Sequence, residues 1–485
     1  MIEELTKEIE QAKFLGRSAR RKKERELQKK YNNKSIRILS NKTFTKGEAL
    51  NHDQRRELVK DKNLFLEVIK IIKKYIPQLN RLINELTDKR NKSYITYSMK
   101  TILYTKLFAL ICGITTMTEI SDSNNFSTEE AVENLSNFCE EKFKNLPDWQ
   151  TIQDVIEQLE IEEIENIRKN IVKGLIRSKM FYKYRYNDKY YQLLVDATGV
   201  SSHDYNLNGT CIIKKSKTGV LKYYKYALEA KLVFGDIVIS LDTEWIQNSQ
   251  IKNENEKQDC EINAFKRMAP RIKKNFPKMK FIITGDALYA TEPIISLCNS
   301  KEYKWKYILN LKKDRLKSLY NDFEDDLNYE NETNKDNYFL SSKLEYKTHK
   351  LSAVKYQEQQ QNKLVTFNYI TNLVVTNNNI EEIVKLGRAR WKIENEGFRE
   401  QKNGTFKISH LCSRNENAIK IHYYLIQIAH IIRQLLEKGS KVLRDMKLKT
   451  KKEVSKFIIK CFTSKTTTSD LNHDILNFQL RFNDD

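Results

Sequence analysis

The feature that most constrains this chain is a change of period at Tyr190. Upstream, from roughly residue 55 to 180, apolar residues recur at three- and four-residue spacing (Leu64, Val68, Ile71 and Ile72, then Leu103, Leu107 and Leu110), which predicts successive amphipathic helices. Asp148 stands where it would cap one of them, with Ile152, Val155, Ile156 and Leu159 on the inner face. Downstream, Tyr191-Gln-Leu-Leu-Val-Asp196 and Lys280-Phe-Ile-Ile-Thr-Gly-Asp286 are short apolar runs of the kind that form buried strands, and each ends at an aspartate. Tyr226–Phe234 and Ile237–Leu241 predict a hairpin, because Gly235-Asp236 between them supplies the φ > 0 of a tight turn. A helix near 260–274, a helix opened by Thr291-Glu292-Pro293 and a strand over Tyr307–Leu311 complete the pattern.

Three strands, helix, strand, helix, strand is the order of a mixed α/β sheet of the RNase H type. Between roughly 318 and 378 the pattern departs from it, with polar loops around Asn328–Asn337 and strands expected at Leu344–Lys347, Leu351–Lys355, Leu364–Tyr369 and Leu373–Val375. This predicts a β-rich inserted subdomain. A long helix then starts near Ile380, and another, strongly apolar, runs from Ile421 to Leu436 and ends at Gly439.

The formal net charge is +22, from 86 Lys and Arg against 64 Asp and Glu, and a field of that size attracts a polyanion. Nucleic acid is the expected partner. Arg17, Arg20, Arg21, Lys22, Lys23 and Arg25 crowd one short N-terminal stretch, so Arg20 and Arg21 are candidates for DNA contact. The seven cysteines form no Cys-x-x-Cys pair, so neither a disulfide framework nor a zinc knuckle is indicated. No apolar stretch is long enough for a signal peptide or a membrane span, and a cytoplasmic, nucleoid-associated bacterial protein is expected. The expected organisation is a basic arm (1–50), a helical N-terminal DNA-binding domain (51–185), an RNase H-like core in two parts (186–317 and 379–440) interrupted by the β-rich insertion (318–378), and a basic C-terminal tail (441–485).

The chemistry is expected at the strand-terminal acids, because ligands in open α/β sheets bind at the carboxyl ends of strands. Asp196 and Asp286 both stand there, on backbone stiff enough to hold oxygen donors for a hard divalent cation. A third acid comes from the helix containing Arg388-Ala-Arg390-Trp391-Lys-Ile-Glu394-Asn-Glu396. At about 100° per residue, Ile383, Leu386, Gly387, Arg390, Trp391, Glu394 and Phe398 share one stripe, and Glu396 lies about 200° away with Lys392 and Glu400 on a solvated face. An inward Glu394 needs a partner, and Arg390 or a metal is on offer. Three acids with two Mg²⁺ (or Mn²⁺) ions permit two-metal phosphoryl transfer. No Walker loop or nucleophile elbow competes, and His422 and His430 sit in an apolar helix as ordinary core or surface residues.

At these residues the chain resembles insertion-sequence DDE transposases, whose third-acid helix carries Tyr-x2-Arg-x3-Glu-x6-Lys. Arg390-Trp-Lys-Ile-Glu394 matches the Arg-x3-Glu part, Asp196-Ala-Thr198 resembles the first-acid motif, and Gly285-Asp286-Ala-Leu-Tyr289 the second. The resemblance implies Asp196, Asp286 and Glu394 as catalytic metal ligands, with Thr198, Tyr289, Arg390 and Lys402 handling DNA phosphates. It implies cut-and-paste transposition on double-stranded DNA, both transposon ends and target, by a homodimer in the end-joined complex. A cleavage-inactive, domesticated DNA-binding derivative and an RNase H-like nuclease are the alternatives. Two departures stand out: Gly387 occupies the signature's Tyr position, and its Lys would fall at Gln401, with Lys402 one place later.

Overall fold

The structure is a computed structural model, and it describes residues 8, 17–31, 61–249, 257–329, 337–360, 363–473 and 475–482. Two compact units are present, Met1–Lys62 and Asn63–Asp485. In the first, the helix α1 (Arg17–Lys30) ends on Lys29 and Lys30, which suits the negative end of a helix dipole. Arg20 and Arg21 lie on α1; their side chains, like most of the expected basic arm, fall outside the described residues.

The second unit opens with α2 (Leu64–Tyr75), α3 (Leu79–Asn84), α4 (Met99–Cys112), α5 (Glu129–Cys139), α6 (Trp149–Gln158) and α7 (Ile161–Arg177). Asn63, Ser98, Thr128 and Asp148 cap α2, α4, α5 and α6 by accepting a backbone N–H of the first turn. The sheet and its crossovers follow: β1 (Tyr190–His203), β2 (Ile212–Lys215), β3 (Leu221–Phe234), β4 (Ile237–Ile246), α8 (Glu261–Asn275), β5 (Lys280–Gly285), α9 (Glu292–Asn299) and β6 (Lys306–Asn310). β1 pairs antiparallel with β3, which pairs antiparallel with β4, while β1, β5 and β6 run parallel. Leu193, Leu194 and Val195 are fully buried, as a strand covered on both faces requires. The parallel ladder between β1 and β5 ends at Leu194 and Thr284, so beyond it β1 continues with β3 alone and one edge is released. The expected hairpin is β3–β4, with Gly235 at φ +57 as the first loop residue.

The expected β-rich insertion forms α10 (Lys317–Tyr329), β7 (Tyr338–Tyr346), β8 (His349–Gln360) and β9 (Lys363–Thr371). These strands do not make a separate sheet: β9 pairs antiparallel with β6, so the meander prolongs the main sheet to nine strands. The fourth strand expected at Leu373–Val375 does not form. The Asn372 side chain ends the ladder by accepting the Tyr307 N–H at 3.1 Å and donating to the Trp305 carbonyl at 3.1 Å. Leu373 and Val375 are buried because they pack against Val354, Tyr369, Ile380 and Ile383, an apolar signal of packing rather than of strand.

The long helix expected from Ile380 is broken into α11 (Ile380–Arg388), a π-helix over Ile393–Phe398 and α12 (Arg399–Asn403). Four more follow, α13 (Glu416–Gly439), α14 (Lys441–Asp445), α15 (Lys451–Phe462) and α16 (Thr468–Asn472). Nearly all of α13 is buried, because it packs against β4 on one side and α2, α4, α6 and α7 on others. The helices upstream of the sheet and the sheet itself therefore share one core. His422 and His430 lie in it, and burial holds both imidazoles well below their usual range.

A buried polar network crosses that core. Glu229 on β3 is fully enclosed; it accepts hydrogen bonds from Ser240 at 2.7 Å, from the Tyr423 hydroxyl at 2.9 Å and from Thr243. Arg168 of α7 lies 4.0 Å from it and Lys231 3.5 Å. Lys231 donates to Gln427 at 2.9 Å, and Gln427 in turn accepts from Gln401 of α12 at 2.8 Å. The network thus runs from the sheet to the segment that follows the π-helix.

Candidate active site

Each of the three sequence-predicted acids is fixed by a different element. Asp196 lies on β1 two residues beyond the end of the β5 ladder, where the released edge leaves room beside the strand. Its Oδ1 accepts the Ala197 N–H at 2.9 Å. Asp286 begins the turn after β5: its Oδ1 accepts the Leu288 N–H at 2.8 Å and its carbonyl the Tyr289 N–H at 3.1 Å. Continuing the β1–β5 register sets Asp286 beside Asp196. Glu394 is on the π-helix.

Arg390 joins two of them. Its Nη1 donates to Glu394 Oε1 at 2.7 Å and lies 3.4 Å from Asp196 Oδ2. Burial pushes the Asp196 carboxyl up to about 7; Arg390 opposes this, and the carboxylates of Glu261, Asp286 and Glu394 add to it. Without a further cation, Asp196 is therefore protonated in part near neutral pH. Glu396 lines a different cleft, with Lys385, Arg388, Trp391 and Lys392.

The π-helix accounts for the displaced lysine. In an unbroken α-helix the seventh residue after Glu394 returns to within about 20° of it, and the eighth overshoots to about 80°. A π turn absorbs one extra residue, which moves the eighth, Lys402, towards the place of the seventh. Lys402 is half-buried; burial lowers its ammonium and the Asp196 carboxylate acts against that. Gln401 instead turns into the core, bonded to Gln427 at 2.8 Å and to His430 at 3.0 Å.

Gly387 has a similar explanation. A Cβ there would fall 2.6 Å from the ring of Tyr369, a residue of β9 that is itself buried. An aromatic ring thus abuts this turn from the neighbouring strand, not from the helix. Gly387→Ala is expected to cost about 1–3 kcal/mol through overpacking, read as a lower urea midpoint at unchanged slope. An unchanged midpoint would mean that the Tyr369 ring yields freely.

Other expectations need correction. Tyr289, expected at a phosphate, is fully buried: its ring folds under Gly285 and its hydroxyl donates to Glu261 Oε2 at 2.9 Å. Thr198 is also buried, with a hydroxyl that has no hydrogen-bond partner among the described residues. The inward stripe fails at Trp391, which is 52% exposed, because the helix is interrupted just there and Ile393 turns inward instead. Glu400 is buried, accepting from Thr405 at 2.6 Å and Lys451 at 2.8 Å, and Lys392 pairs with Asp236, so the solvated face expected to join Lys392, Glu396 and Glu400 does not form. Glu261, the first residue of α8, also stands near Asp196; in sequence it reads only as a first-turn helix acid.

The donor set suits a hard divalent cation: carboxylate oxygens on β1 and just after β5, acids whose mutual repulsion a cation relieves, and an orphaned buried hydroxyl at Thr198 on the same face of β1 as Asp196. Among the described residues, as they stand, no three His, Cys, Asp or Glu side chains close around one point, and Arg390 sits between Asp196 and Glu394.

Residues 67–453 match the family model described as transposase DDE domain, group 1. No curated protein matches the chain at a significant level. Among solved structures, the cryo-EM synaptic complex of the piggyBac transposase with hairpin DNA aligns over 87% of this chain and 86% of that one, at 11% identity and a TM-score of 0.38.

Proposed function

Since the chain belongs to the transposase DDE domain family, we propose that it binds the ends of an insertion sequence and catalyses metal-dependent cleavage and transfer of DNA strands. The observation that carries this reading is the meeting of Asp196 and Glu394 on one guanidinium with Asp286 in the same field, three acids from three elements in sequence order. The strand order β4-β3-β1-β5-β6, antiparallel then parallel, supports an RNase H-like core.

In this reading Asp196, Asp286 and Glu394 hold two Mg²⁺ or Mn²⁺ ions. When bound, the ions supply charge stabilisation at the attacking and leaving oxygens of phosphoryl transfer. The chain's own residues do the rest. Arg390, released from its two acids, and Lys402 present positive charge to the phosphate being cut. Asp196 and Asp286 sit on and just after rigid strands, which fixes where the phosphodiester must lie. The +22 charge, α1 and the helices before the sheet supply the affinity for duplex DNA, and a homodimer brings two ends together. Among the described residues no helix is long and apolar enough to cross a membrane.

The test is cleavage of a duplex carrying the inverted repeat that flanks the gene, with Mg²⁺ or Mn²⁺ against chelator. Cuts at the repeat boundary that need the metal are expected. Tight binding to that duplex with no cut in either metal would mark a cleavage-inactive derivative and overturn the proposal.

A further inference from the structure

A fourth carboxylate stands at the same place and has no role in the three-acid scheme. Glu261 starts α8, which follows Cys260, a residue that makes no side-chain cap. A first-turn glutamate ordinarily lies along its own helix end in solvent. This one is partly buried and accepts the hydroxyl of Tyr289, a fully enclosed residue of the Asp286 turn. Among the described residues it has no ion pair. A carboxylate taken partly out of water without a direct ion pair is stabilised by a nearby cation. Through Tyr289, whose N–H bonds the Asp286 carbonyl at 3.1 Å, Glu261 is tied to the turn that carries the second acid.

A second feature points the same way. Thr198, two residues beyond Asp196 on the same strand face, buries a hydroxyl that no described group satisfies. From these placements we propose that Glu261 is a fourth oxygen donor to the divalent cation shared by Asp196 and Asp286, with Tyr289 orienting its carboxylate. The proposal rests on the metal reading of the site. Tyr289 acts as a positioning residue: it ties the start of α8 to the turn after β5, so the donors on those two elements keep one spacing.

Mn²⁺ binding to the full-length protein without DNA, followed by the electron paramagnetic resonance of free Mn²⁺, tests this independently of activity. Glu261→Gln is expected to weaken Mn²⁺ binding by about 10-fold or more, with an unchanged melting temperature in the metal-free state. Glu261→Asp keeps the charge one methylene short and is expected to weaken it as well, which covers the case in which the glutamine variant does not fold. Tyr289→Phe should give a smaller loss in the same direction. Asp196→Asn is the control on the underlying reading. If it weakens Mn²⁺ binding while Glu261→Gln or Glu261→Asp binds like the parent, the fourth-donor assignment is overturned and the three-acid site stands. If Asp196→Asn itself binds Mn²⁺ like the parent, the metal reading fails and the fourth donor with it.

Discussion

Alanine at Asp196, Asp286 or Glu394 is expected to reduce metal-dependent cleavage of element-end DNA by at least about a thousandfold, as when one member of a catalytic unit is removed. Binding to the same DNA should change little, because these acids would hold cations and do not grip the backbone. Glu396→Ala should cleave like the parent. The contrast follows from placement: Glu394 shares Arg390 with Asp196, whereas Glu396 lines the cleft that holds Lys385, Arg388 and Lys392. Single-turnover cleavage of the four variants reads both halves together. An active Glu394→Ala beside a dead Glu396→Ala would contradict the assignment of the third acid.

The second large effect is on stability. Glu229→Ala is expected to cost about 3–5 kcal/mol, the range for removing one partner of a buried ion pair, out of a total that is about 5–15 kcal/mol for a typical protein. Glu229 is the only acid in contact with two enclosed cations, Arg168 and Lys231, among the described residues. Removing it leaves both charges in the core and strands the Tyr423 hydroxyl. The double variant Glu229→Ala/Lys231→Met should recover part of the loss, because the methionine keeps the volume beside Phe398 without the charge. Urea unfolding measures both. A single-variant cost below about 1 kcal/mol would mean that water or rearrangement compensates the cations.

What could be read in the sequence, and what could not, divides along a physical line. The strand before Asp286 was legible because an apolar run ending at a carboxylate carries its meaning locally, whereas β1 does not end at Asp196 as expected but continues against β3 to His203. Glu394 was legible through its four-residue spacing from Arg390, which survives into the structure as a direct bond. The π-helix was not, since one extra residue in a helical turn leaves no mark in composition. That single residue brought Lys402, not Gln401, towards Asp196, while the break after Arg388 left Trp391 at the surface. Motif matching gave Thr198 and Tyr289 the right neighbourhood but not their depth, because a motif fixes spacing along the chain and says nothing of burial. Glu261 was invisible for a different reason: its partner Tyr289 is brought to it only when α8 and the turn after β5 meet. Leu373 and Val375 show the converse, alternation that signals packing against α11 and not a strand.

The central claim, that this chain joins DNA strands at the ends of a mobile element, is tested most directly by strand transfer itself. A labelled duplex ending in the flanking inverted repeat is incubated with the full-length protein, Mg²⁺ and an unlabelled second duplex, and the products are separated on a denaturing gel. A labelled species longer than the substrate, absent with chelator and absent for Asp196→Ala, is the expected result. Cleavage without any joined product would mark a nuclease, and label that stays at substrate length in every lane, with or without metal, would contradict the claim outright.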